Sequence, residues 1–361
     1  MSEELYFELA KVLDTLPNGF PATESGVEIK LLKRIFRPED TKLFCDLKLN
    51  FETAQQISDR TGRPLEGLEK HLNEMSQRGQ IFGVDLGDVK LFKMVPWAIG
   101  IYELQFSHMD REMAEMCDEY MQIWSDQFFR RKPQLMRVIP IEKEIKNKQQ
   151  ALHYEQVSNI IENSQSRAVF DCICKKEKRL LGHGCDKPLE ICTGYAPVPG
   201  IFDNSSHYRS ISKDEAYALL NKAEEAGLVH LTWNMENGHY FICNCCGCCC
   251  HVLEAINKLG INASDVINSS YYAEINPDEC AACGTCKDER CQVGAIKEGE
   301  DAYHIVREKC IGCGLCVTTC PSEAVTLIRK DPVDIVPPPR DEMDWYEKRA
   351  DELGVDISKY K

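Results

Sequence analysis

No run of eighteen or more apolar residues occurs in this 361-residue chain, which excludes a membrane-spanning helix and hence membrane insertion. The sequence begins Met1-Ser2-Glu3-Glu4-Leu5, acidic where a cleavable export signal is basic, so no such signal is expected. No G-x-G-x-x-G follows a strand pattern, and no G-x4-G-K-[ST] occurs. Flavin, dinucleotide and nucleoside-triphosphate chemistry therefore have no signature here. Cationic residues are in short supply, 43 Lys and Arg against 58 Asp and Glu, for a net charge of −15. Such a field repels nucleic acid and draws basic protein surfaces. The expected partner is a protein, and nucleic acid is not.

Cysteine is abundant, with 20 residues. Dense C-x2-C runs without an export signal indicate metal ligation rather than a disulfide framework. The expected setting is a reducing cytoplasm. Cys310, Cys313, Cys316 and Cys320, followed by Pro321, spell C-x2-C-x2-C-x3-C-P. A near-copy, Cys280, Cys283, Cys286 and Cys291, lies 30 residues upstream at the first three positions and 29 at the fourth. The repeat continues beyond the thiols, where Ala295-Ile296 matches Ala324-Val325. The upstream copy departs from its twin in having one extra residue before Cys291 and Gln292 in place of proline.

Over residues 272–330 this duplication resembles bacterial-type ferredoxins with two [4Fe-4S] clusters. In such repeats the fourth cysteine of each run ligates the other cluster. The resemblance thus implies cluster I on Cys280, Cys283, Cys286 and Cys320, and cluster II on Cys310, Cys313, Cys316 and Cys291. Gly284, Gly312 and Gly314 are expected to keep the loops open, so that backbone N–H groups reach the sulfurs. Structural zinc, the rival for paired C-x2-C, lacks this interlocked repeat and the trailing proline.

The expected fold class is α+β, in five parts. Residues 1–128 read as a helical, winged-helix-like domain, with helices over Leu5–Leu16, Val27–Phe36, from Pro38, Glu52–Thr61 and Pro64–Arg78. A hairpin follows over Ile81–Leu86 and Val89–Met94. Glu66, Glu69 and Glu74 on the second helix of the helix-turn-helix pattern give the wrong sign for phosphate. This favours docking, as a homodimer or complex subunit, over DNA. Ile101–Gln127 reads as one long helix whose Met109, Met113, Met116 and Met121 are packing residues. Residues 129–149 read as a basic linker with Arg130, Arg131, Lys132, Arg137, Lys143, Lys146 and Lys148. A cysteine-rich α/β domain is expected over 150–270 and the ferredoxin domain over 271–330. A proline-rich strap and a short helix fill 331–361.

Ten further cysteines lie in the α/β part. Cys172, Cys174, Cys185 and Cys192 form one group, and Cys243, Cys245, Cys246, Cys248, Cys249 and Cys250 the other. Cys243, Cys246 and Cys249 repeat a C-x2-C-x2-C register, while side chains of adjacent cysteines diverge. One arrangement puts Cys172, Cys174, Cys185 and Cys192 on one cluster and Cys243, Cys246, Cys249 and a neighbour on another. A single shared centre is the alternative. Iron–sulfur clusters, one or two of them, rank above zinc here, and zinc above a cluster-free thiol or disulfide site. His183, His207 and His251 read as hydrogen-bonding neighbours, and Cys45 and Cys117 as plain thiols. The whole chain is similar to a group of multi-cluster ferredoxin-like proteins of anaerobes that share this order of parts. The resemblance implies electron transfer with a redox partner protein. An oxidoreductase with a special site at Cys243–Cys250, or a redox-responsive winged-helix regulator, is the alternative.

Overall fold

The computed structural model describes residues 2–145, 151–205 and 207–361. Helices Ser2–Thr15, Val27–Ile35, Pro38–Cys45, Ala54–Thr61 and Leu68–Gln77 precede a hairpin of Phe82–Asp85 with Lys90–Lys93. Local chemistry sets the boundaries. Pro38 opens its helix where no N–H is missed. Thr53 and Gln56 cap the next reciprocally, and Gly62 ends it in the left-handed region at φ 72°.

The long helix expected from Ile101 starts later. Ile99 takes φ 55° and the backbone winds irregularly to Gln105. The regular helix is Arg111–Phe128, capped by Asp110, whose side chain accepts from the Met113 N–H. Met109, Met113 and Met121 are buried, and Trp97 Nε1 donates to Met121 Sδ at 3.4 Å. They pack, as expected.

Among the described residues, seven strands form the central sheet, in the order Arg209–Ser210, Ser166–Asp171, Glu190–Ala196, Phe241–Cys245, Val229–Trp233, Met136–Ile139 and Ile267–Asn268. All neighbours are antiparallel except the last pair. Met136–Ile139 corrects the reading of 129–149 as a linker, because all four of its residues are buried, Arg137 included. The Arg137 guanidinium stacks on Tyr154 at 4.3 Å and faces Glu155 at 3.7 Å. Those partners offset the cost of burying the cation. Lys146 and Lys148 lie outside the described residues.

Residues 271–330 form two small antiparallel pairs, Tyr271–Ile275 with Val325–Arg329 and Ile296–Glu298 with Tyr303–Ile305. Packing crosses the expected boundaries, since one contiguous core includes Tyr6, Trp124, Trp233, Ile311 and Tyr360. The Glu342–Leu353 helix lays Trp345 and Tyr346 edge-on against Trp233. Among the described residues, no helix is long and apolar enough to cross a membrane.

Candidate metal centres

The two cysteine runs of the C-terminal region interlock. Cys280, Cys283, Cys286 and Cys320 line one cavity of about 310 Å³, counting space open to solvent. Cys291, Cys310, Cys313 and Cys316 line a second of about 350 Å³. Each wall therefore takes three thiols from one run and the fourth from the other. The extra residue before Cys291 is absorbed by a π-helical turn over Cys286–Arg290, closed by the Cys291 N–H on the Cys286 carbonyl at 3.0 Å. Backbone donors point at sulfur, with Ala295 N to Cys291 Sγ at 3.1 Å and Ala273 N to Cys310 Sγ at 3.4 Å.

Loop geometry follows the repeat. Ala282 and Gly312, thirty residues apart, both have positive φ, as do Gly284 and Gly314. Gly312 is the most constrained, since a β-carbon there would stand 2.1 Å from the Tyr271 carbonyl oxygen. Burial pushes up the thiols of Cys310, Cys316 and Cys313, the last to about 12. A metal must displace those protons to bind. Hydrogen bonds from Thr285 instead lower exposed Cys283.

The other ten cysteines gather at one end of the central sheet. Ser166–Asp171 runs straight into Cys172, which starts the Ile173–Leu180 helix. Glu190–Ala196 carries Cys192 beside it, in register with Phe170. Phe241–Cys245 supplies Cys243 and Cys245 from one face, because strand side chains alternate. Asn244 between them points the other way, to His230 Nδ1 at 2.6 Å and the Ile191 carbonyl at 2.6 Å.

The ten divide differently from either arrangement expected. Six form a closed ring in which each thiol perturbs the titration of the next: Cys172, Cys174, Cys250, Cys245, Cys243, Cys192 and back to Cys172. The other four, Cys185, Cys246, Cys248 and Cys249, have all their sulfurs within 4.8 Å of one another. Thus Cys185 leaves its sequence neighbours, and Cys243 parts from Cys246 and Cys249. In the ring, hydrogen bonds from neighbouring thiols hold Cys172 and Cys250 well below the usual thiol range. Cys174, Cys192, Cys243 and Cys245 are pushed up, first by hydrogen bonding to neighbouring thiols, then by burial and by like charge.

Cations and a carboxylate network surround the ring. Lys175 is fully buried and its Nζ donates to the Asn244 carbonyl at 2.9 Å. Burial lowers its pKa, but Cys172, Cys192, Cys246 and Cys245 outweigh this and hold it above the ordinary lysine value. Its position directly after Cys174 is the only sequence signal for it. His251 Nε2 meets Glu177 Oε1 at 2.9 Å, Tyr102 donates to Glu177 Oε2 at 2.8 Å, and Lys178 bonds Asp118. Burial opposes charge on His251, yet Glu177 raises it to about 10. His251 is therefore an ion-pair partner. His207 Nε2 contacts the Ser76 carbonyl at 2.9 Å. Cys45 and Cys117 stand apart, both raised by burial, Cys45 to about 11.

The two regions meet at the cysteines. Gly247 N donates to Gln292 Oε1 at 2.9 Å, and Asn257 Nδ2 to the Gln292 carbonyl at 2.9 Å. Arg290 Nη1 reaches the Glu224 and Glu225 carbonyls at 3.2 and 3.0 Å. The Ile141 N–H donates to the Cys313 carbonyl at 2.9 Å. The Cys291 quartet thus abuts the sheet, whereas Cys283 faces solvent.

Residues 303–326 match the family of the 4Fe-4S binding domain. An uncharacterized ferredoxin of Methanocaldococcus jannaschii is 34% identical over 89 residues, 24% of this chain and 51% of that protein. A component of the ion-translocating oxidoreductase complex of Methanosarcina acetivorans is 44% identical over 48 residues, 13% of this chain and 18% of that one. Electron transport protein HydN of Escherichia coli is 33% identical over 58 residues, 15% and 33% of the two chains. The chain therefore spans about half the length of the first relative and less of the others. No solved structure matches it.

Proposed function

Because the C-terminal region of this chain is a ferredoxin-type iron–sulfur domain, we propose that the protein is an electron carrier or oxidoreductase subunit. Cys280, Cys283, Cys286 and Cys320 would hold cluster I, and Cys310, Cys313, Cys316 and Cys291 cluster II. Bound there, each [4Fe-4S] cluster supplies a one-electron redox couple. The donor set fits, with four thiols around each cavity and backbone N–H groups aimed at sulfur.

One observation carries the reading: the stretch from exposed Cys283 to Gln292 leads from solvent to the cysteines of the sheet. Cys283 is exposed to an approaching partner, the Cys286–Arg290 turn delivers Cys291, and Gln292 joins Gly247 among the sheet's cysteines. The ring of six thiols is the proposed seat of a further iron–sulfur centre, with Lys175 offsetting thiolate charge. The relatives named as an electron transport protein and as part of an oxidoreductase complex favour a protein redox partner.

Residues 1–128, winged-helix-like in element order, are assigned to docking, as a complex subunit or homodimer. On the Leu68–Gln77 helix, Glu69 engages Lys90 at 3.5 Å and Glu74 engages Arg78 at 3.7 Å, drawing those cations away from phosphate. The test is iron and acid-labile sulfide per chain after anaerobic purification. About 8 irons with matching sulfide accounts for the ferredoxin pair, and a larger matched count fills the ring as well. Iron without sulfide would refute the assignment.

A further inference from the structure

We infer that Cys185, Cys246, Cys248 and Cys249 form a mononuclear site for one thiophilic divalent ion, separate from any iron–sulfur cluster. The sulfur spacing carries this. Cys185 and Cys246 are 3.7 Å apart, Cys185 and Cys249 3.7 Å, and Cys248 and Cys249 3.8 Å. Four thiolates about 2.3 Å from one tetrahedral ion stand about 3.8 Å from each other. A cubane asks for something else, because each thiolate caps a different iron and the sulfurs spread around the cluster. The ferredoxin cysteines, which frame cavities of about 310 and 350 Å³, have that open form.

The backbone explains how neighbours converge. Residues 246–250 make a tight turn, with the N–H groups of Cys249 and Cys250 on the Cys246 carbonyl at 3.3 and 3.1 Å. On that turn the adjacent Cys248 and Cys249 side chains point at the same place, against the divergence expected of adjacent cysteines. Cys185 is brought in from a separate loop. Arg179 holds that loop by donating to the Cys185 carbonyl at 3.0 Å and the Lys187 carbonyl at 2.7 Å. An ion here would pin the 185 loop to the turn whose Gly247 contacts Gln292.

Thiolate donors select soft metals, and zinc binds such sites more tightly than ferrous iron. Zinc is therefore the assigned ion. With no electron to exchange, it would act as a staple beside the redox cysteines. This inference stands independently of the relay, since its failure leaves the two ferredoxin quartets untouched.

The test is elemental analysis of the full-length protein, purified anaerobically, with X-ray absorption at the zinc edge. One zinc per chain is expected, surrounded by four sulfurs at about 2.3 Å and no second metal shell. Cys185→Ser should lose that ion while iron and sulfide hold at the wild-type count. Cys248→Ser, at the exposed position, is the variant to use if Cys185→Ser does not fold. One iron per chain in excess of sulfide, lost in the same variant, supports the site with iron as its ion. A wild-type protein with no zinc and iron equal to sulfide would overturn the inference. So would a Cys185→Ser protein that loses several irons together with their sulfides.

Discussion

Gly247 and Gln292 fit together so closely that a β-carbon on residue 247 would lie 2.1 Å from the Gln292 backbone oxygen. Gly247 sits between Cys246 and Cys248, and Gln292 follows Cys291. The side chain missing at 247 is what lets the ferredoxin-type region approach the sheet's cysteines. Gly247→Ala should force the two apart, at a cost of about 1–3 kcal/mol for overpacking. Rapid-mixing reduction of the variant should show the ferredoxin signals reduced at the wild-type rate and the remaining iron signals more slowly. Equal rates throughout would mean that this contact does not set the route.

Each cavity draws its fourth cysteine from the other run, and the proposed clusters would be ligated in the same crossed way. Cys320→Ser should perturb the same paramagnetic signal as Cys283→Ser, and Cys291→Ser the same one as Cys313→Ser. Electron paramagnetic resonance of the four reduced variants reads this directly. If Cys291→Ser instead matches Cys283→Ser, each run serves its own cluster and the crossing is wrong.

Two glycines separate backbone conformation from crowding. Gly354 ends the Glu342–Leu353 helix at φ 68° with nothing within 4 Å of where a β-carbon would stand, so alanine should cost only about 1–2 kcal/mol for left-handed backbone. Gly312, at φ 66°, adds a clash with the Tyr271 carbonyl, and about 3 kcal/mol or more is expected for conformation and overpacking together. Denaturant midpoints of the two variants give the comparison. Equal losses would remove the claim that the Cys310–Cys313 loop is held by this approach.

The grouping of the eight C-terminal cysteines about two cavities was legible because their spacing is local and repeats. So were the early helices, whose caps at Pro38, Thr53 and Gly62 are written in adjacent residues. The division of the other ten cysteines was not. It depends on Glu190–Ala196 lying between Ser166–Asp171 and Phe241–Cys245, a strand order that no spacing encodes. Met136–Ile139 was hidden by Arg137, a cation that reads as solvent-exposed until Tyr154 and Glu155 come round to cover it.

Glu155 is buried between two arginines, with Arg329 Nη1 on its Oε2 at 2.7 Å and Arg137 at 3.7 Å. It ties the ferredoxin strand Val325–Arg329 to the sheet strand Met136–Ile139. Glu155→Gln should cost about 3 kcal/mol, because it leaves the Arg137 charge buried without its counter-ion. Glu115→Gln, which breaks an exposed pair with Arg111, should change stability by less than about 0.5 kcal/mol. Similar midpoints for the two variants would show that the buried carboxylate does not lock the regions together.

The relay itself is tested most directly by a reductive titration of the anaerobic full-length protein, followed by electron paramagnetic resonance. The expected result is two low-potential, one-electron ferredoxin-type signals that interact magnetically and return to the starting spectrum on reoxidation. Iron that cannot be reduced and reoxidised, or a protein free of sulfide, would contradict the proposal that this chain carries electrons.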